Sequence, residues 1–281
     1  MTGHEQDIES MHPGRCPAAN RTRRTAIETV TVVGGHGGMG RLFLHRLQAI
    51  DLTGYALDKP LDRHRAEDIL AASDLVLLAV PMHAVNGVLE ELGPLFSADC
   101  ILADICSVKV KPLDQLLEAH AGPVVGTHPL FGPQPETGTE LKTALVQGRD
   151  RSAFHAVESL FASLGFQPFE TSAEEHDRAM AFIQGLNFVT TVSYLASVSR
   201  IEAIDKFLTP SFSRRLTAAR KMLTQDADLF LDLFESNPYS HEAVRQFRSM
   251  LNLAAAGELD LLKEKAGWWW CDNEPWGGVP G

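Results

Sequence analysis

Cysteine is scarce, at 4 of 281 residues, and its placement excludes more than its number does. Cys16, Cys100, Cys106 and Cys271 form no C-x-x-C pair and have no histidines at metal-ligand intervals. Neither a disulfide framework nor a metal site is expected, and the thiols read as reduced groups of a cytoplasmic protein. Positive charge is short as well: 25 Lys and Arg face 36 Asp and Glu, for a net charge of −11. Non-specific nucleic-acid binding needs clustered cations, so no nucleic-acid partner is expected. An anionic ligand has to find a local basic patch against the mean field. No apolar run reads as long enough to span a bilayer, so no membrane partner is expected. Residues 1–25 lack a hydrophobic signal core and any periodicity, and read as a disordered leader.

Against those absences stands one informative stretch, TVTVVGGHGGMGRLF, from Thr29 to Phe43. A β-branched apolar run ends in glycines, and helical apolar spacing follows through Leu42, Phe43 and Leu47. This is strand, tight turn, helix, with Gly35-x-Gly37-x-x-Gly40 at the turn. Gly35 is expected to make the turn, Gly37 to let the backbone approach a pyrophosphate, and Gly40 to let the helix close on the strand. The amides of His36, Gly37, Gly38 and Met39 then face the phosphates at the helix start. A second apolar segment, Tyr55 to Leu57, ends in Asp58, 18 residues after Gly40. That is the place for a carboxylate on a ribose 2′-hydroxyl. The cofactor expected is NAD, with Lys59 beside Asp58 keeping NADP open.

Asp74 to Val80 is a continuous apolar run, suited to a strand buried on both faces and stopped by Pro81. Cys100–Ile105, Gly122–Thr127, Leu141–Val146 and Phe166–Phe169 read as further strands. Helical segments at 66–72, 85–95, 112–120 and 152–164 separate them. Strands alternating with helices imply an α/β fold with a Rossmann-type doubly wound parallel sheet. From Thr171 the pattern changes. Ser172-Ala173-Glu174-Glu175 reads as a capped helix start, and helical periodicity runs on to about Lys265. The expected division is a leader (1–25), a dinucleotide-binding domain (26–171), an all-helical C-terminal domain (172–266) and a tryptophan-rich tail (267–281).

Doubly wound sheets bind ligands at the carboxyl ends of their strands. Val80 with Pro81, Ser107 with Lys109, and His128 fall there. Pro129 holds His128 in extended backbone, and a histidine titrating near neutrality is a natural proton acceptor. Ser107 reads either as a cap for the following helix or as a hydroxyl orienting substrate beside His128.

GGHGGMGRLF, DICSVK, THPLFGP and EEHDRAMAFIQGL, in that order, resemble the prephenate dehydrogenase family. The likeness is greatest to the dehydrogenase half of bifunctional chorismate mutase–prephenate dehydrogenases, and covers roughly residues 28 to 230. The mutase half is not expected, since the leader is too short for it. The resemblance implies an oxidative decarboxylation with NAD(P)+ for tyrosine synthesis. His128 is the implied base, Ser107 its helper, and a small dicarboxylate cyclohexadiene the substrate. It also implies that the helical domain pairs two chains into a homodimer, for which Phe182, Leu186, Val189 and Leu195 are candidate interface residues.

Two positions depart from the family. Where it often has a histidine, this chain has Phe188, preceded by Asn187. The family's carboxylate-binding arginine falls on Lys221, next to Arg220. Arg214 lies seven residues earlier on the same helical face, so Asn187, Arg214, Arg220 and Lys221 are the candidate substrate contacts. Lysine for arginine exchanges a bidentate fork for a point charge. The altered pocket keeps a second substrate in view, 4-amino-4-deoxyprephenate, as in antibiotic biosynthesis. A non-catalytic NAD-binding module is the reading outside enzymology.

Overall fold

Alternate residues of each central strand serve opposite layers of helices, because side chains along a strand point to opposite faces. The computed structural model describes residues 26–198 and 201–270. The expected leader with Cys16, and the end of the tail with Cys271, lie outside the described residues. The first half runs β1 (Thr29–Val33), α1 (Gly38–Gln48), β2 (Thr53–Leu57), α2 (Arg63–Ala72), β3 (Leu75–Leu78), α3 (Val85–Leu92), β4 (Ile101–Asp104), α4 (Val110–Ala119), β5 (Val124–Pro129), β6 (Lys142–Arg149), α5 (Arg151–Ser163) and β7 (Gln167–Thr171). Val30, Val32, Leu75, Leu77 and Ala103 pack with Phe43, Leu47, Phe154 and Phe161, on α1 and α5. Val33, Val76, Leu78 and Leu102 pack with Leu70, Val85, Leu89 and Leu116, on α2, α3 and α4. Burial on both faces is why these strands read as unbroken apolar runs.

The seven strands lie in the order β2-β1-β3-β4-β5-β6-β7. The Rossmann-type sheet holds, with one departure from an all-parallel arrangement: β6 runs antiparallel to β5. Residues 130–141 carry no helix, so there is no crossover to bring the chain back in the parallel sense. The helix α5 then supplies one, and β7 pairs parallel to β6.

After Thr171 the described residues form helices only. The Ser172 side chain accepts the Glu175 amide at 3.1 Å and starts α6 (Ala173–Met180), while the Thr171 hydroxyl donates to the Glu175 carboxylate. A π-helical turn, Ala181–Leu186, joins α6 to α7 (Asn187–Ser197). There follow α8 (Pro210–Thr224), α9 (Ala227–Ser236), α10 (Ser240–Ala255) and α11 (Leu259–Ala266). Contrary to the expectation from sequence, the stretch Ala173–Ser197 is long and apolar enough to cross a membrane by length and composition. Gln184, Asn187, Thr190 and Thr191 break the apolar run and hide its length. Its first turn is held in the fold by His176 and Asp177, which are buried. At the tail, Gly267–Trp270 forms a 3-10 turn in which Trp268 stacks on Trp269 at 4.4 Å.

Candidate active site

The carboxyl ends of β1 to β5 gather the groups that can do chemistry. At the end of β1, Gly34 turns the chain with φ +86°, where a Cβ would overlap the Ala79 carbonyl. The turn is therefore made by Gly34 and not, as expected, by Gly35. Gly35 instead admits β2, since a Cβ on it would sit 2.6 Å from that of Ala56. Gly40 has the packing role expected of it, because a Cβ there would run into the Gly34 carbonyl. Helix α1 starts at Gly38, after Gly37, with no side-chain cap. Its first amides, including those of Gly38, Met39 and Gly40, are left for an anion. A Cβ on Gly37 would meet only the Gly34 carbonyl, at 3.2 Å, so a ligand can come close on its open side.

Asp58 follows β2 directly and reaches the glycine turn. Its two oxygens accept the His36 amide at 3.2 Å, and His36 Nδ1 lies 2.8 Å from one of them. Lys59 points instead to Glu91 on α3, at 3.3 Å. Val80 packs against Gly34, and Pro81 opens the 3-10 turn Met82–Ala84. An uncapped helix start, a glycine cradle and a carboxylate at the second strand suit a dinucleotide.

His128 lies in β5, 4% exposed. The chain beyond it crosses over the cradle: a Cβ on Gly38 would touch the Pro133 ring at 3.0 Å. Phe131, between them, packs on Phe166. The base and the phosphate turn are thus tied together by one short loop. His128 Nδ1 lies 2.9 Å from His176 Nε2, and His176 Nδ1 lies 2.7 Å from Asp177 Oδ1. Asp177 also accepts the amides of Lys109 at 2.6 Å and Val110 at 2.9 Å, and so caps α4. That task does not fall to Ser107, which is half-buried in the turn between β4 and α4. Lys109 is wholly buried. Its ammonium pairs with Asp104 and donates to the Thr127 carbonyl at 2.6 Å.

This setting corrects the expectation of a near-neutral histidine. Burial above all, then His176 and the Lys109 cation, pushes His128 well below the ordinary histidine value. It is an uncharged imidazole at neutral pH, ready to accept. Burial also pushes the Cys100 thiol up to about 12 and Cys106 well above its ordinary value, so neither thiol is a nucleophile.

The other candidates stand apart from this network. Phe188, at the position where the family often has a histidine, is buried and stacks on Phe230 at 5.4 Å. Asn187 is exposed at the start of α7. Arg214, Arg220 and Lys221 are exposed on α8, which packs on α7 and α9. None of the four belongs to the hydrogen-bonded cluster around His128. Sequence reasoning missed His176, Asp177 and the pairing of Lys109 with Asp104. The signal was present: a carboxylate closing an apolar strand, and adjacent His and Asp in a helix otherwise polar on its outer face.

The family model for the prephenate dehydrogenase nucleotide-binding domain matches residues 56–150. A T-protein from Enterobacter agglomerans is 34% identical over 236 residues, 82% of this chain and 62% of its own length. The chain thus spans less than two thirds of that relative. A 4-amino-4-deoxyprephenate dehydrogenase from Streptomyces pristinaespiralis is 26% identical, over 81% of this chain and 84% of its own. Among solved structures, prephenate dehydrogenase from A. aeolicus, in complex with hydroxyphenyl propionate and NAD+, has the same fold. Its TM-score is 0.70 at 20% identity, covering 88% of this chain and 99% of that one.

Proposed function

Because the chain belongs to the prephenate dehydrogenase family, we propose that it oxidatively decarboxylates prephenate with NAD+, in tyrosine biosynthesis. The observation that carries this reading is His128, uncharged at the end of β5 and joined by one loop to the start of α1. Bound NAD+ supplies the hydride acceptor. His128 takes the proton of the C4 hydroxyl as the C4–H pair departs as hydride, which leaves a C4 carbonyl. The bond from C1 to its carboxylate then breaks, CO2 leaves, and the freed pair completes the aromatic ring. The C4 oxygen recovers the proton. Ser107, not engaged as a helix cap, orients that oxygen. Arg214, Arg220 and Lys221, in the densest exposed basic cluster of the helical half, meet the two carboxylates, and Asn187 adds a neutral amide to that contact. Residues 26–171 form the cofactor domain and 172–266 the substrate and dimer domain. The homodimer is supported by apolar side chains left exposed on the long helix, Phe182, Ile183 and Tyr194 among them. The compartment proposed is the cytoplasm, where Cys100 and Cys106 stay reduced.

Asp58 favours NAD+ over NADP+, and the pairing of Lys59 with Glu91 keeps that ammonium from offering itself to a 2′-phosphate. Asp58→Asn removes a charge-assisted bond to the ribose diol, an interaction worth about 1.5–3 kcal/mol. NAD+ affinity is expected to fall roughly 10- to 100-fold by fluorescence titration, with the gap to NADP+ narrowing. An unchanged affinity would detach Asp58 from the cofactor.

A second reading has its own support. The likeness to a 4-amino-4-deoxyprephenate dehydrogenase, over 84% of that protein's length, fits a substrate with an amino group at C4. Initial rates with prephenate, arogenate and 4-amino-4-deoxyprephenate decide between them. Prephenate is expected to show the highest kcat/KM. Turnover of the amino compound alone would transfer the assignment to the second reading, and NAD+ binding without any turnover would remove both.

A further inference from the structure

We propose that His176 and Asp177 are positioning residues that fix the tautomer of His128, so that its Nε2 carries the lone pair that meets the substrate. The inference rests on the function proposed above for the identity of the substrate, and on geometry for the rest. An ionised carboxylate only accepts hydrogen bonds. Asp177 already accepts two backbone amides at the start of α4, so what it receives from His176 Nδ1 is an N–H. A neutral imidazole with its proton on Nδ1 presents a lone pair at Nε2. That lone pair lies 2.9 Å from His128 Nδ1, which must therefore hold the proton between the two rings. The remaining nitrogen of His128, Nε2, is left as the acceptor.

The opposite assignment, with the proton on His128 Nε2, would aim an N–H at the substrate hydroxyl and make His128 useless as a base. It would need His176 to donate from both nitrogens, as a buried cation. His128, His176 and Asp177 are 4%, 4% and 0% exposed, so water does not reorder the chain. The rings meet edge to face, 74° between planes, and touch through one pair of nitrogens. Asp177 also ties the relay to both halves of the fold. Its carboxylate caps a helix of the sheet half, and its backbone carbonyl accepts Asn237 Nδ2 at 2.7 Å.

The test uses the full chain with His176→Phe, which keeps the ring and removes the acceptor, and His176→Gln, whose amide oxygen can accept from His128 Nδ1. His176→Phe is expected to lower kcat by between roughly tenfold and the ~10⁴-fold that a wrong tautomer costs a serine-protease triad, with the Kd for NAD+ unchanged. His176→Gln is expected to recover most of the loss. Proton–nitrogen correlation spectra of the 15N-histidine-labelled protein are expected to show the Nδ1–H form for His128 and His176. A wild-type kcat in His176→Phe, a His176→Gln variant as slow as His176→Phe, or an Nε2–H form of His128 would each overturn the relay. Should His176→Phe fail to fold, His176→Gln and the spectra decide. The spectra need no turnover: a wild-type protein inactive on all three cyclohexadienes but showing both Nδ1–H forms keeps the relay and discards the substrate.

Discussion

Replacing His128 with asparagine is expected to lower kcat on prephenate about 10²- to 10⁴-fold, the usual worth of general-base assistance. The Kd for NAD+ is expected to stay within about twofold of wild type, since the phosphate cradle and Asp58 owe nothing to the imidazole. Asparagine keeps a polar atom near His176, so the loss reports a missing base more than a hole. The pH dependence follows from the direction of the shift. The working form of His128 is uncharged, and burial moves its protonation well below the ordinary value of 6.5. Activity from this group is then fully present above pH 6.5 and is lost only as pH falls through the lower, folded-state value. A kcat/KM profile flat from neutrality to below pH 6.5 on the acid side is expected for the wild type. An asparagine variant with wild-type kcat would strike the histidine from the mechanism, and an acid limb centred above 6.5 would show that it is not held neutral by burial.

Legibility in the sequence followed the physics of each feature. Local signals carried well. Alternating apolar runs and the glycine turn specify the sheet through residues close in the chain, and Ser172 caps α6 where its spacing said it would. Two features were misread, one because the deciding contact is distant in sequence and one because a connection was not weighed for what it lacks. Gly34 makes the turn because the Ala79 carbonyl, 45 residues on, leaves no space for a Cβ, and no pattern within the G-x-G-x-x-G run reports that. The reversal of β6 was missed although residues 134–140 read as loop, because the alternation of strands and helices elsewhere was extended to a connection that contains no helix to bring the chain back parallel. His128 was found by its place at a strand end. Its partner His176 is 48 residues away and became visible only when α6 was laid against the carboxyl edge of β5.

The second large effect joins stability to this site. Lys109 is 0% exposed, with its ammonium on Asp104, which is 0% exposed as well. Two charges withdrawn from water cost several kcal/mol each, and close pairing offsets that cost while both are present. Removing one partner leaves the other buried and uncompensated. Lys109→Met keeps the length of the chain and deletes the charge. Asp104 then retains the Cys106 amide at 2.9 Å on one oxygen and no cation, and its other oxygen, Oδ1, is buried with no hydrogen-bond partner. A loss of about 3–5 kcal/mol is expected by urea denaturation, a large share of the roughly 5–15 kcal/mol that holds a typical domain. Lys109→Met combined with Asp104→Asn is expected to recover more than half, because no net charge is then stranded. The same lysine is one of the charges that keep His128 unprotonated. Its removal should therefore shift the acid limb of kcat/KM upward in whatever fraction stays folded. Destabilisation under about 1 kcal/mol would mean that Asp104 gives up its charge when left alone. An acid limb that does not move would mean that burial and His176 suffice to hold His128 neutral.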